Sequence, residues 1–180
     1  MQPRLMPLET PFPPEAAEIL ATMPPPGGPP LKLFRVLAHN PRVLTRIKGG
    51  GLLDKGSISL REREIVILRT TARRGSEYEW GVHVHFFAAK AGFTPEQIAA
   101  TRGNGSEAWS EPDRLLIALV DSLIDGNAVA DALWARAATA WSAAQLLEIV
   151  VLAGFYTTIS YVTNAFRVPL EDGAPRFPMS

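Results

Sequence analysis

The stretch LREREIVILRTTARRGSEYEWGVHVHFFAAKAGFTPEQIAA, residues 60–100, decides the fold. Its apolar residues recur at helical spacing, with no sustained alternation that would mark a strand. Ser59 followed by Glu62 is a capping box that opens a helix over Leu60–Arg73. A second helix is expected over Ser76–Ala91, ended by Gly92 as a left-handed stop. Thr94-Pro95-Glu96-Gln97 then starts a short helix with Pro at its first position. The connection Arg74-Gly75 is short enough to force the first two helices to pack antiparallel.

Working outward, proline divides the chain. Eleven of the 16 prolines fall at or before Pro41, and only Pro95 and Pro112 lie between residues 42 and 168. Proline costs ~3 kcal/mol in a helix interior, so the middle of the chain is free to be helical and the first forty residues mostly are not. Residues 1–40 read as a proline-rich arm with short helices at Pro14–Met23 and Leu31–His39, separated by a turn or linker at PPPGGPP (24–30). The body, 41–168, continues with helices at Pro41–Lys48, Glu111–Leu123, Asp131–Trp141 and Ser142–Phe166. Residues 169–180 form an irregular tail. The expected fold is all-α, one helical domain. Helix Ser142–Phe166 is apolar nearly all round and is expected to be buried in the fold or in an oligomer interface.

Composition narrows the function classes. The chain has 180 residues, 47% hydrophobic and 20% charged, with 18 Lys and Arg against 18 Asp and Glu. A neutral chain has no field to gather polyanions, which argues against nucleic acid and anionic membranes as partners. There is no cysteine, which removes disulfides, thiolate metal sites and dithiol redox cycles. The start, MQPRLMPLETPFPP, lacks the basic and apolar regions of a secretion signal, and the most apolar segment, Ile149–Val162, is short for a membrane span of roughly 20 residues. A cytoplasmic protein is the expectation.

Two helices carry polar groups on apolar faces. At about 100° per residue, Leu60, Ile67, Leu68 and Thr71 surround Glu64, while Glu62, Arg63, Arg69 and Arg73 form the expected solvent face. A buried carboxylate costs several kcal/mol unless it is paired or neutralised. On the next helix Ser76, Trp80, His83 and Phe87 share a stripe flanked by Glu79, and Glu79 to His83 is an i,i+4 pair. His85 points about 160° away from His83. Antiparallel packing lets Glu64, Ser76, Glu79 and His83 converge. The plain alternative is a hydrogen-bonded structural pair. Metal is not expected, because His85 diverges and His39 lies in a separate segment. Gly49-Gly50-Gly51 lacks the Lys-Ser/Thr of a phosphate-binding loop.

With these residues laid out, segment 60–100 resembles the carboxymuconolactone decarboxylase family, which includes the alkyl hydroperoxidase D proteins. The peroxidase branch has a glutamate, a Cys-x-x-Cys twelve residues on, and a histidine four beyond the second cysteine. Glu64, Ser76, Glu79 and His83 hold that spacing, with Ser76 and Glu79 at the cysteine positions. A weaker likeness runs through RVLAHNPRVL and the terminal FYTTISYVTNAFRVPLEDGAPRFP. The resemblance implies a helical bundle of the alkyl hydroperoxidase D type, assembled as a homo-oligomer (dimer, trimer or hexamer). Ser76 and Glu79 cannot run the disulfide cycle, so thiol peroxidase chemistry is not expected.

The cysteine-free branch implies decarboxylation or a related proton transfer on a small carboxylated lactone or ring acid of aromatic catabolism, with no cofactor. In that reading His83 is general acid or oxyanion donor, Glu79 tunes it and Glu64 relays protons. Ser76, Tyr78, Trp80, Tyr156 and Asn164 are the candidate substrate contacts. A substrate carboxylate wants a cation, yet no arginine shares the stripe of His83, so Arg42 or a neighbouring subunit is expected to supply it. The rival reading is a non-catalytic oligomeric module that binds a ligand or partner on the same fold.

Overall fold

The computed structural model describes residues 2–23, 25, 28–103 and 106–178, with Ser106 described in its backbone only. Three residues of the PPPGGPP segment, 24, 26 and 27, lie outside this set. The described residues form nine α-helices and no strand: α1 Pro14–Leu20, α2 Lys32–Leu37, α3 Pro41–Lys48, α4 Leu60–Arg73, α5 Glu77–His83, α6 Pro95–Ala100, α7 Glu111–Gly126, α8 Asp131–Ala140 and α9 Ala143–Phe166. They make one all-α domain.

Helix α4 is the axis of the body. Ser59 caps it as a reciprocal box, its Oγ accepting from the Glu62 N–H at 3.2 Å and Glu62 Oε2 accepting from the Ser59 N–H at 2.7 Å. An ion-pair ladder ties α4 to α7: Arg61 to Asp113 at 2.8 Å, Arg69 to Asp121 at 2.7 Å and Arg73 to Asp125 at 2.5 Å. Each partner lies 52 residues on, so the two helices run parallel. On another side, Trp141 Nε1 donates to Glu62 at 2.7 Å near the start of α4, and Ser76 Oγ meets Thr163 Oγ1 at 2.7 Å beyond its end. Helix α9 is therefore parallel to α4 as well.

This central placement overturns the expected solvent face of α4. Residues 63–71 are all buried, including Arg63 and Arg69. Burial of an unpaired guanidinium would cost several kcal/mol, so each is fully engaged. Arg69 forks onto both oxygens of Asp121, and its Nη1 donates to the carbonyls of Thr101 at 2.9 Å and Gly103 at 2.7 Å. Of that expected face, Arg73 stays exposed and Glu62 half-buried.

Helix α5 folds back antiparallel on α4 through Arg74-Gly75-Ser76, with Gly75 at φ +67°. The helix expected over Ser76–Ala91 is not one uniform α-helix. The α-helix ends at His83, and Val84–Ala88 winds as a π turn. Such widened turns occur mostly within helices and often beside functional sites.

The described arm builds a second core. Leu20, Leu33, Val36 and Leu37 from the arm pack with Leu44, Tyr78, Val82 and Ile159. The C-terminal tail has no regular structure but is firmly docked. Glu171 Oε1 accepts from Tyr78 Oη and the Lys32 N–H, both at 2.5 Å, and the Phe177 ring lies 5.2 Å from Trp80. Gly81 is required beneath it, because a Cβ there would sit 2.4 Å from the Pro175 carbonyl oxygen.

Helix α9 is two-faced. Leu146, Ile149, Leu152, Ala153, Tyr156 and Ile159 are buried against the body, while Leu147, Val151 and Tyr161 are 66%, 48% and 60% exposed. At 24 residues, with an 18-residue stretch of mean hydropathy 1.6, it is long and apolar enough to cross a membrane by length and composition, unlike the shorter segment Ile149–Val162 considered alone. Such helices also serve as core helices, and one face of α9 does so here.

Candidate functional site

The antiparallel pairing of α4 and α5 places Glu64 opposite His83. Glu64 occupies the second turn of α4 with no exposed surface, and His83, 2% exposed, is the last residue of α5 before the π turn. His83 Nδ1 lies 2.8 Å from Glu64 Oε2. Its other nitrogen, Nε2, lies 3.5 Å from Oε1 of Glu79 one turn earlier on α5. The imidazole is thus held between two carboxylates. Burial alone would lower its pKa, but the charges and hydrogen bonds of Glu64 and Glu79 outweigh that and push it up to about 9. His83 is an imidazolium at neutral pH, not the group titrating near neutrality that its reference value would give.

Two aromatic rings fix the plane of His83. Tyr156 from α9 meets it edge-on with centroids 5.0 Å apart, and Phe87 from the π turn lies at 5.2 Å. Burial, reinforced by the carboxylates of Glu79 and Glu64, holds the Tyr156 hydroxyl well above the usual phenol range. It stays protonated as a donor beside the carboxylates.

Arg63 completes the cluster and was missed in the sequence. Its Nε donates to Glu64 Oε1 at 2.9 Å, Nη2 lies 2.8 Å from the same oxygen, and Nη1 donates to the Leu53 carbonyl. Its guanidinium also lies 5.0 Å from the Phe87 ring centre. Helical projection turns residue 63 about 100° from residue 64, and no periodicity reveals that a long side chain reaches back to its neighbour. The cluster balances: two carboxylates face one guanidinium and one imidazolium. A cavity of about 240 Å³ is lined by Arg63 together with Leu53, Lys55 and Glu148.

One atom stands out. Glu79 Oε2 is buried without a hydrogen-bond partner, although Oε1 of the same carboxylate faces His83. A buried carboxylate oxygen left unpaired costs more than a routine hydrogen bond returns, so it marks a place where a donor is expected to arrive.

The other residues singled out by sequence occupy bracing positions. Ser76 Oγ pairs with Thr163, and Tyr78 Oη ties the Leu33 N–H to Glu171. Trp80 Nε1 donates to Thr101 Oγ1 at 2.8 Å, within the main core. Asn164 Nδ2 donates to the Arg74 carbonyl at 2.9 Å. Of the expected substrate contacts, Tyr156 packs its ring on His83. His85 is exposed, stacked edge-on against Phe86. The cation beside the cluster is Arg63, and it is paired with Glu64.

Residues 40–108, which carry α4, α5 and the cluster, match the model of the carboxymuconolactone decarboxylase family. Over nearly its whole length the chain is also similar to the crystal structure of an uncharacterized peroxidase-related protein from Silicibacter sp. TM1040, with a TM-score of 0.79, 15% identity, and coverage of 99% of each chain. At that identity the likeness is one of fold. No curated protein matches the chain.

Proposed function

We propose that the chain is a cofactor-free enzyme that decarboxylates, or moves a proton on, a small carboxylated lactone or ring acid of the kind met in aromatic catabolism. The observation that carries this reading is the unpaired Oε2 of Glu79 beside a buried imidazolium. Loss of carbon dioxide next to an unsaturated lactone leaves its electron pair delocalised onto the ring carbonyl. The site must then protonate carbon and stabilise the oxyanion in a water-poor setting. Both nitrogens of His83 face carboxylates, so substrate meets Glu79 first. Glu79 takes a proton from His83 through the Nε2 contact and delivers it to carbon. Glu64, fixed by Arg63, holds the imidazole in orientation and stabilises its charge. The Tyr156 hydroxyl serves as the neutral donor for the oxyanion.

A second reading is favoured by the near-complete burial of Glu64 and His83: a non-catalytic module in which the pair is structural. A turnover screen of carboxylated lactones and ring acids, with His83→Gln and Glu79→Gln as controls, separates the two. The enzyme reading expects a substrate whose turnover falls roughly 10²–10⁴-fold in both variants. No turnover above background anywhere in the panel, from a folded wild-type chain, would favour the module.

A further inference from the structure

Hydrogen bonding in the cluster falls short at two places of opposite kind. Glu64 is engaged on both oxygens, Arg63 donating to Oε1 and His83 Nδ1 meeting Oε2. Glu79 is engaged on one side only, its Oε1 facing His83 Nε2 while Oε2 is buried without a partner. The hydroxyl of Tyr156, a residue 2% exposed, makes no hydrogen bond to any described residue. Both groups border the same imidazole, Glu79 at Nε2 and Tyr156 edge-on against the ring, yet they do not bond to each other. Their needs are complementary. An ionised carboxylate oxygen only accepts, whereas a phenol held protonated has a proton to give. Left unmet in a buried place, each costs more than a routine hydrogen bond returns.

A single ligand group that satisfies both must donate to Glu79 and accept from Tyr156. A carboxylate offers acceptors only and brings a like charge beside Glu79. A ketone or an ether answers Tyr156 and leaves Glu79 unpaired, and an ammonium does the reverse. A hydroxyl does both. We propose that Glu79 and Tyr156 receive a hydroxyl group that the substrate carries on the carbon beside its ring carbonyl. This rests on the reading of the cluster as a substrate site and narrows it, from carboxylated rings in general to α-hydroxylated ones. With the hydroxyl in that position, the carbonyl oxygen lies next to it, so Tyr156 can pass its hydrogen bond to the oxyanion as it forms. The substrate's own carboxylate points away from Glu79. Entry is from the side of Phe87. Of the groups around His83, Glu64, Glu79 and Tyr156 are buried, whereas Phe87, carried by the π turn, is half-buried.

Three uncharged probes test the preference: α-hydroxy-γ-butyrolactone, its methyl ether and unsubstituted γ-butyrolactone. Binding to the wild-type chain at neutral pH is read from the His83 and Tyr156 ring protons by NMR. A hydrogen bond to a buried charge is worth about 10–100-fold in affinity, so the alcohol is expected to bind at least tenfold more tightly than either other lactone. The unsubstituted lactone controls for the bulk of the ether. Glu79→Met, which fills similar space without an acceptor, is expected to bring the alcohol down to the level of the unsubstituted lactone. Tyr156→Phe removes a hydroxyl that no described residue uses, so the fold is expected to survive while affinity for the alcohol falls several-fold. Equal binding of the alcohol and the unsubstituted lactone would overturn the proposal. So would an advantage of the alcohol that persists in both variants, or no shift with any of the three at millimolar concentration. The turnover screen fails separately: if it finds no substrate while the alcohol keeps its advantage, the decarboxylation reading falls and hydroxyl recognition stands.

Discussion

Removing His83 from between its two carboxylates has a magnitude that follows from its raised pKa. The imidazole rises from an ordinary 6.5 to about 9 on folding, because Glu64 and Glu79 overcome the burial that opposes its charge. At 1.36 kcal/mol per unit, that difference is worth on the order of 3 kcal/mol. The raised folded pKa means the folded state binds the proton more tightly than the unfolded state. The contribution is fully present below about pH 6.5 and disappears as the pH rises through about 9. Urea unfolding of the wild-type chain and His83→Gln from pH 5.5 to 10 isolates the effect, since every other titrating group is shared. The wild-type advantage is expected to shrink by about 3 kcal/mol across that range, with most of the loss above pH 7. The His83 ring protons followed by NMR should shift with a midpoint near 9, and Glu64→Gln should lower that midpoint. Parallel stability curves, or a midpoint between 6 and 7, would refute the picture of an imidazolium held by two carboxylates.

Glu79→Gln removes one of the two carboxylate charges that hold His83 protonated, so it should lower stability at neutral pH and bring the His83 midpoint down, while turnover on any identified substrate falls by roughly 10²–10⁴. Arg69→Ala, which strands the buried side of Asp121 and two carbonyls, should lower stability by about 3–5 kcal/mol in urea titration. Ser142→Ala removes the reciprocal cap of α9 and should cost about 1 kcal/mol by the same assay. His85→Gln alters an exposed ring and should change neither stability nor turnover measurably.

The parts of the fold written in local chemistry could be read directly. Ser59, Thr94 and Ser142 each form the reciprocal cap that their spacing to Glu62, Gln97 and Gln145 specifies. The short Arg74-Gly75 link and the apolar setting of Glu64 foretold the contact with His83. What depended on distant partners was illegible. Arg63 and Arg69 look like surface residues until Glu64, Asp121 and the 101–103 carbonyls surround them. The ladder's common offset of 52 residues has meaning only once α4 and α7 are known to run side by side. Periodicity at 3.6 residues cannot register the π turn after His83, since the same apolar residues fit either winding. The bracing contacts of Tyr78, Trp80 and Asn164 were illegible for a related reason. Their polar atoms satisfy the docked tail, Thr101 and the Arg74 carbonyl, none of which is marked in the local sequence.

The account's central claim is that Glu79 exchanges a proton with substrate while His83 stores its charge. Incubating the protein in D₂O with a panel of carboxylated lactones, and following the carbon-bound protons by NMR, tests it most directly. The account predicts one deuterium at the carbon that lost carbon dioxide, or that bears the exchanging proton, in the wild-type reaction and none above background with Glu79→Gln. Deuterium incorporation by Glu79→Gln at the wild-type rate would contradict it.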